Sequence, residues 1–288
     1  MYKSNAVTIL RNLIIYSLFL LPSFIPAQTV IFEKEIGDFS GGADFSISPN
    51  EFIYVTDTER NEIYKLDFEG NVLNFIGGYG WNPATFDEPV HIFASTLSVY
   101  VTDKNNDRIQ YFDKDLNYLS QLRSDDLRGE YSFRYPTAAV VSPVGDLFVL
   151  DSDNSRILKF DLNGNFTTEI GSYDAGVFSL ENPIKFDISS DSRLFVLDQN
   201  KIKVFDQFGG GLNFIHIDQG AVNINIQLDM LNVVYKNKII LLDLKNPSKR
   251  FQEFMLAELY DIKDAIVYNN RLFVLTPSEI LIYKLVEN

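Results

Sequence analysis

The sequence predicts an all-β protein, a six-bladed β-propeller closed by its own N-terminal strand. Three observations carry this. A hairpin is written nearly the same way several times over, as "IYVTDTERNEIYKLD" from Ile53, "VYVTDKNNDRIQYFD" from Val99, "LFVLDSDNSRILKFD" from Leu147 and "LFVLDQNKIKVFD" from Leu194. Aligned on the Asp that ends the first strand of each hairpin (Asp57, Asp103, Asp151, Asp198 and then Asp243), the copies step by 46, 48, 47 and 45 residues. A shorter last copy, "RLFVLTPSEILIYKL", carries Thr276 at that place. Self-similarity at this period marks a repeat architecture, and hairpin content selects a propeller over a helical solenoid. The third observation is compositional: 24 Phe and 15 Tyr favour sheet over helix.

Within each copy the elements follow one order. An apolar strand such as "HIFAS", "TAAVVS" or "IKFDIS" comes first and ends in a turn such as "SPNE" or "SPVGD". The second strand is "IYVT" or "LFVL", and its terminal Asp opens a polar turn such as "TERN" or "KNND". The third strand, "EIYKL", "RIQYF" or "RILKF", runs into "DFEGN" or "DLNGN", with Asp first and Gly fourth as a type I turn prefers. The fourth strand is "VLNFIGG" or "FTTEIGS". Apolar runs are dense rather than alternating, as expected where neighbouring blades cover both faces. The last copy stops after its third strand, and "TVIFEKEIG" (residues 29–37) reads like a fourth strand, so it is assigned to complete the last blade and hide an open edge.

The pattern of apolar pair, Asp, polar turn, Arg-Ile, Phe-Asp and then Gly resembles the NHL repeat. "VTDKNNDRIQYFD" and "LDSDNSRILKFD" are its nearest copies, with a Phe-x-x-Pro lead-in at Phe86–Pro89 and Phe133–Pro136, stretched to Phe178–Pro183 in the next copy. The resemblance spans roughly residues 42–217 and fades over the last two copies, the fifth of which ("IILLDLKNPSKRFQEF") lacks a Gly turn. It implies a propeller and no particular reaction.

The first 27 residues form a separate unit. Lys3 and Arg11 precede "NLIIYSLFLL", which Pro22 interrupts, and Ala27 offers a small residue before Gln28. This is the pattern of a cleaved signal peptide (1–27) ahead of the propeller (28–288), and places the protein in the periplasm or outside the cell. No later stretch could span a bilayer, so no stable membrane insertion is expected after cleavage, and the chain is expected as a monomer. A net charge of −14 opposes nucleic acid as a partner, since phosphate contacts need a basic footprint. That removes the RNA-binding role of some NHL proteins. With no cysteine there are no disulfides, no thiol catalysis and no thiolate metal site.

Candidate residues divide into two groups. The repeated Asp57, Asp103, Asp151 and Asp198, and likewise Arg108 and Arg156, recur in several copies and read as structural, because an active site is made once. The copies disagree near the start of each innermost strand, where counting back from the anchor Asp gives Asp44, His91, Ala138, Lys185, Asn232 and Ala265. Asp44, His91, Lys185 and Asn232 are therefore the candidate ligand-binding cluster of the central channel. The second group lies in the loops between blades, "GGYGWNPATFDEP", "RSDDLRGEYSFRYP" and "GSYDAGVFSLENP", which emerge on one face and carry Tyr79, Trp81, Tyr131 and Tyr173 among acidic residues. Rigid scaffolds carry recognition on such loops. Phe86, Phe133 and Phe178 in the same loops read as plugs between blades.

Two His residues and no Cys are too few for zinc, so no transition-metal site and no cofactor are expected; calcium, bound by carboxylate and carbonyl oxygens, is the one cation the composition leaves open. The expected function is an exported binding or scaffold propeller that recognises a protein or carbohydrate partner through its loop-rich face, without catalysis. The alternative is a propeller lyase or lactonase acting on a small or sugar-like ligand at the channel mouth.

Overall fold

The computed structural model describes residues 29–127, 131–246, 252–256, 258–259 and 261–286; the expected signal peptide lies outside them. The apolar runs become six four-stranded antiparallel sheets. After β1 (Thr29–Ile36), blade one is β2 (Gly42–Ile47), β3 (Ile53–Asp57), β4 (Glu62–Leu66) and β5 (Val72–Gly77). Blade two is β6 (Pro89–Ala94), β7 (Ser98–Asp103), β8 (Arg108–Asp113) and β9 (Tyr118–Arg123). Blade three is β10 (Pro136–Val141), β11 (Leu147–Asp151), β12 (Arg156–Phe160) and β13 (Phe166–Ile170). Blade four is β14 (Pro183–Ile188), β15 (Leu194–Asp198), β16 (Lys201–Phe205) and β17 (Gly211–His216). Blade five is β18 (Ala221–Gln227), β19 (Met230–Tyr235), β20 (Lys238–Asp243) and β21 (Gln252–Met255). Blade six joins β22 (Asp264–Tyr268), β23 (Arg271–Leu275) and β24 (Ile280–Val286) to β1 as its outermost strand.

The core is split into six apolar layers, each lying between two neighbouring blades. Ile63, Val99 and Phe112 fill the layer between blades one and two; Phe148, Phe186 and Phe205 fill that between three and four. The second strands explain the dense runs: every residue of "IYVTD" in β3 and of "LFVLD" in β11 and β15 is buried, since one face meets the preceding blade and the other the next. Such a stack has two raw ends unless it closes into a ring. The contact is made between blades six and one, where Ile36, Phe45, Val55, Phe273 and Ile282 share a layer.

Closure depends on β1. It pairs with β24 from Thr29↔Val286 to Ile36↔Ile280, with one irregularity between Phe32 and Lys34, and so binds the two ends of the chain into one sheet.

Blade five corrects the sequence alignment. Asp243 ends the third strand, β20, not the second. The register position held by Asp57, Asp103, Asp151 and Asp198 belongs to Tyr235, which pairs with Ala221 as those Asp residues pair with Gly42, Pro89, Pro136 and Pro183. The physical reason is that both the second and third strands are apolar runs that end in Asp before a polar turn. Asp243 accepts the N–H of Lys245, as Asp67, Asp113, Asp161 and Asp206 accept those of Glu69, Asp115, Asn163 and Phe208 in the turns that close their third strands. The fourth strand of this blade is present, as the four-residue β21.

Deleting Thr29–Gly37 should expose the edge of β24 and remove Ile36 from its layer. At roughly 1.5–3 kcal/mol for each buried large aliphatic side chain, plus the lost ladder, the truncated chain should lose several kcal/mol in urea denaturation. An unchanged midpoint would show that closure does not hold the ring.

Candidate functional site

The antiparallel blades give the ring two unlike faces. One, the linking face, carries the loops between blades and the turns between second and third strands. The other carries the remaining turns. Innermost strands run from the linking face inward around the channel, so residues at equal register form tiers.

The first tier holds Asp44, His91, Ala138, Lys185, Asn223 and Asp264, opposite Thr56, Thr102, Leu150, Leu197, Val234 and Leu275 on the second strands. Three of the four expected channel residues are therefore brought together. Asn232 is displaced: it lies in β19, and blade five contributes Asn223 to the tier while blade six contributes Asp264 rather than Ala265. Asn232 instead donates to Asn225 Oδ1 at 2.7 Å from behind. The missed residues had a signal, since "AVNINIQ" places polar residues at alternate positions as "PIKFDI" and "GADFSI" do.

These side chains are occupied by the ring itself. An innermost strand has no ladder partner on its channel side, and an unpaired buried N–H costs about 1–3 kcal/mol. Four of the six blades supply the next from their innermost strands. Asp44 Oδ2 accepts Ile92 N at 2.9 Å, and Ser46 Oγ accepts Ala94 N at 3.1 Å. His91 Nδ1 accepts Ala139 N at 3.4 Å, and Asp187 accepts Ile226 N at 2.6 Å and Ile188 N at 2.7 Å. Asn223 and Asn225 work in the other direction, donating to Lys263 O at 3.4 Å and Ala265 O at 2.9 Å. Lys185 crosses from blade four to Asp44 Oδ1 at 3.3 Å and Val90 O at 3.0 Å, barring the channel beneath the linking face.

Below that bar lies a cavity of about 60 Å³ whose walls include Asp187, Asn225, Asp264, Ile224 and Ile266 and extend to Ala94 and Gln227, the last residues of β6 and β18. Ligand pockets run to roughly 300–1,000 Å³, so this one has room for a few waters. Among the described residues no three His, Asp or Glu are grouped to hold a metal ion.

Burial sets the protonation of the channel. Desolvation, aided by the Lys185 charge and opposed by Asp44, lowers His91 to about 3, so its imidazole is neutral. Desolvation raises Asp187 to about 7 against the pull of its backbone donors, and raises Asp264 well above the carboxylate range, with Asp44 adding to both.

The linking face is built differently. Buried Arg108 donates to Asp103 Oδ2 at 2.7 Å and from there reaches three carbonyls of the loop at residues 78–88: Trp81 O at 2.7 Å, Asn82 O at 3.2 Å and Thr85 O at 2.9 Å. Gln110 adds bonds to Thr85 O and Ala84 N, and Asn106 holds Gly80 O. The loop is thereby fixed from within while Tyr79 and Trp81 stand 62% and 64% exposed, ring centroids 5.5 Å apart and edge to face. Phe86, from the same loop, is fully buried in the layer below. Arg156 repeats the device from Asp151 to Ser132 O, and Lys203 from Asp198 to Ser179 O. Tyr131 stacks on Phe166 at 4.1 Å, whereas Tyr173 is 93% exposed. The anchor Asp residues also fasten the incoming loops: Asp57 accepts Ser40 N and Gly41 N, and Asp198 accepts Glu181 N and Asn182 N.

No family model and no curated protein matches the sequence. Solved structures do match in fold. Virginiamycin B lyase from Staphylococcus aureus aligns at 16% identity over 88% of this chain and 99% of its own, with a TM-score of 0.61. A gluconolactonase from Xanthomonas campestris aligns at 10% identity over 91% and 99%, with a TM-score of 0.64. A chain of a nidogen/laminin complex aligns at 16% identity over 82% of this chain and 84% of its own, with a TM-score of 0.61. At these identities the likeness establishes the fold, which enzymes and binding proteins share.

The opposed titrations of Asp187 and His91 give a test. A carboxyl raised to about 7 contributes stability that is full below about 4 and lost as pH rises toward 7. A histidine lowered to about 3 contributes stability that is full above about 6.5 and lost as pH falls toward 3. Asp187→Asn removes only the first. The stability advantage of the parent over this variant should shrink between pH 4 and pH 8, by at most about 4 kcal/mol. A gap that stays constant across that range would place Asp187 in its ordinary ionised state.

Proposed function

We propose that this chain is an exported NHL-type propeller that recognises a protein or carbohydrate partner through its linking face, and that it carries out no catalysis. The observation that carries the reading is the exposed Tyr79–Trp81 pair on a loop held by a buried arginine. Exposing two large rings has a solvation cost, and spending buried Arg108 on three loop carbonyls holds them in place before any partner arrives. Such preorganisation lowers the entropy lost on binding. Tyr173, on the loop between blades three and four, extends the exposed aromatic surface on the same face. The channel favours this reading over a lyase or lactonase, because its carboxylates cap strand edges, Lys185 bars it, and the cavity is too small for a substrate. Localisation in the periplasm or outside the cell rests on the N-terminal pattern of Lys3, Arg11 and the apolar run before Pro22.

Trp81 is the only tryptophan, so the intact protein reports on the face directly. Its emission should be red-shifted and quenched by acrylamide. Screening soluble cell-surface glycans and secreted proteins by that emission should find a ligand that protects it. Trp81→Ala should then weaken binding by about 2 kcal/mol or more, the scale of an interface hot spot, with little change in melting temperature. A ligand bound equally well by Trp81→Ala would move the recognition site elsewhere.

A further inference from the structure

The copies of the repeat act as internal controls for the face opposite the linking loops. In the turns that follow the third strands, the third position is Glu69, Asp115, Asn163 and Lys245 in blades one, two, three and five, but Phe208 in blade four. In the turns that follow the innermost strands, the tip is Asn50 in blade one and Asp191 in blade four, but an exposed apolar residue in blades two, three and five: Leu97, Val144 and Leu228. The second position of the third-strand turn is apolar in blades one and five as well, but there Phe68 packs on Tyr268 and Phe273 of blade six and Leu244 packs against the layer between blades four and five. Their counterpart Leu162 makes no such use of its side chain. Val144, Leu162 and Phe208 are 61%, 76% and 74% exposed.

Val144, Leu162 and Phe208 fall together. Leu162 lies over Gly145, next to Val144, so closely that any side chain at Gly145 would collide with it. Lys159 joins blade three to blade four: its ammonium meets Asp146 at 2.8 Å and Gln207 O at 3.2 Å, and sits 5.6 Å from the Phe208 ring centroid. The charges around the patch are unequal. Lys159 is neutralised by Asp146 and Arg193 by Asp191. Asp161 and Asp206 accept only from their own turns, and neither has an ion pair among the described residues. The patch is apolar, with uncompensated negative charge at its edge, in a chain of net charge −14.

We propose that Val144, Leu162 and Phe208 form a second docking surface, for an amphipathic peptide segment of a partner protein that carries Lys or Arg beside its apolar side chains. The apolar side chains would cover the three tips and the cations would meet Asp161 and Asp206. This surface is separate from the Tyr79–Trp81 face and does not depend on it.

The test uses a fluorescein-labelled amphipathic Leu/Lys peptide, read by anisotropy, with a Leu/Glu peptide of the same pattern as control. The full chain should bind the Leu/Lys peptide saturably, more weakly at high salt, and should not bind the Leu/Glu peptide. Changing Val144→Asn, Leu162→Asn and Phe208→Asn together should weaken binding by roughly tenfold or more with the melting temperature unchanged. Phe208→Asn alone should give part of that loss, which covers the case in which the triple variant folds poorly. Equal affinity for the two peptides, or undiminished binding by Phe208→Asn and the triple variant, overturns the proposal. So does a parent that sediments as a dimer while the triple variant is monomeric, which would make the patch a contact between copies. Co-sedimentation of the parent with phosphatidylcholine vesicles, abolished in the variant, would make it a lipid contact and overturn it equally.

Discussion

A blade of this protein has no hydrophilic face. Because both sides of each sheet are apolar, no blade can be stable alone, and each depends on burial against two neighbours. Everything else in the molecule follows from that requirement. Six layers are needed where a sandwich would have one, the stack must close, and the strand that finishes the last sheet comes from the other end of the chain. The pairing of β1 with β24 therefore does more than extend a sheet. It joins the first and last blades, so that loss of any one layer leaves two others with an open side.

Closing a ring of sheets creates a polar problem at its centre. Six innermost strands turn an unladdered edge toward the channel, and little water reaches there. Side chains one blade back supply partners to four of the six innermost strands, and this accounts for most of the polar groups that a channel site would otherwise claim. The channel is charged because the strand edges need acceptors and donors, and Asp187 and His91 are held near neutrality because burial penalises their charged forms. A reactive-looking constellation thus results from satisfying backbone groups. The same economy is visible on the linking face, where Asp103 with Arg108, Asp151 with Arg156 and Asp198 with Lys203 tie each incoming loop to the turn beneath it. That device recurs in three blades and is structural in each. What differs is the side chains the loops hold outward.

Repetition makes this distinction available. A residue found at one register in most copies has a role in building the blade, and a residue that departs from the rule at an exposed position has no such duty. Trp81 departs in a loop, and Phe208 departs at a turn tip on the other side, the side on which Val144 and Leu162 are also exposed. Phe68 shows why position alone is insufficient: it also departs from polarity, yet it is spent on packing against blade six.

Architecture was legible in the residues because it rests on local and repeated signals: dense apolar runs, Asp-led turns at a steady period, and a leading segment that reads like the fourth strand absent from the last copy. The recurring Asp and Arg could be assigned to structure on the same ground. Two things were decided only by the tertiary structure. The first is the register of blade five, where Asp243 and Tyr235 could not be ranked from sequence, since an apolar strand followed by Asp describes two different turns. That ambiguity carried Asn232 into the channel in place of Asn223. The second is which polar side chains are free. Asp44 and Lys185 look available in sequence, but their partners are backbone groups and side chains of other blades, up to 179 residues away along the chain. Only the closed ring brings those groups together, so only the ring decides that the channel is filled and the two faces are open.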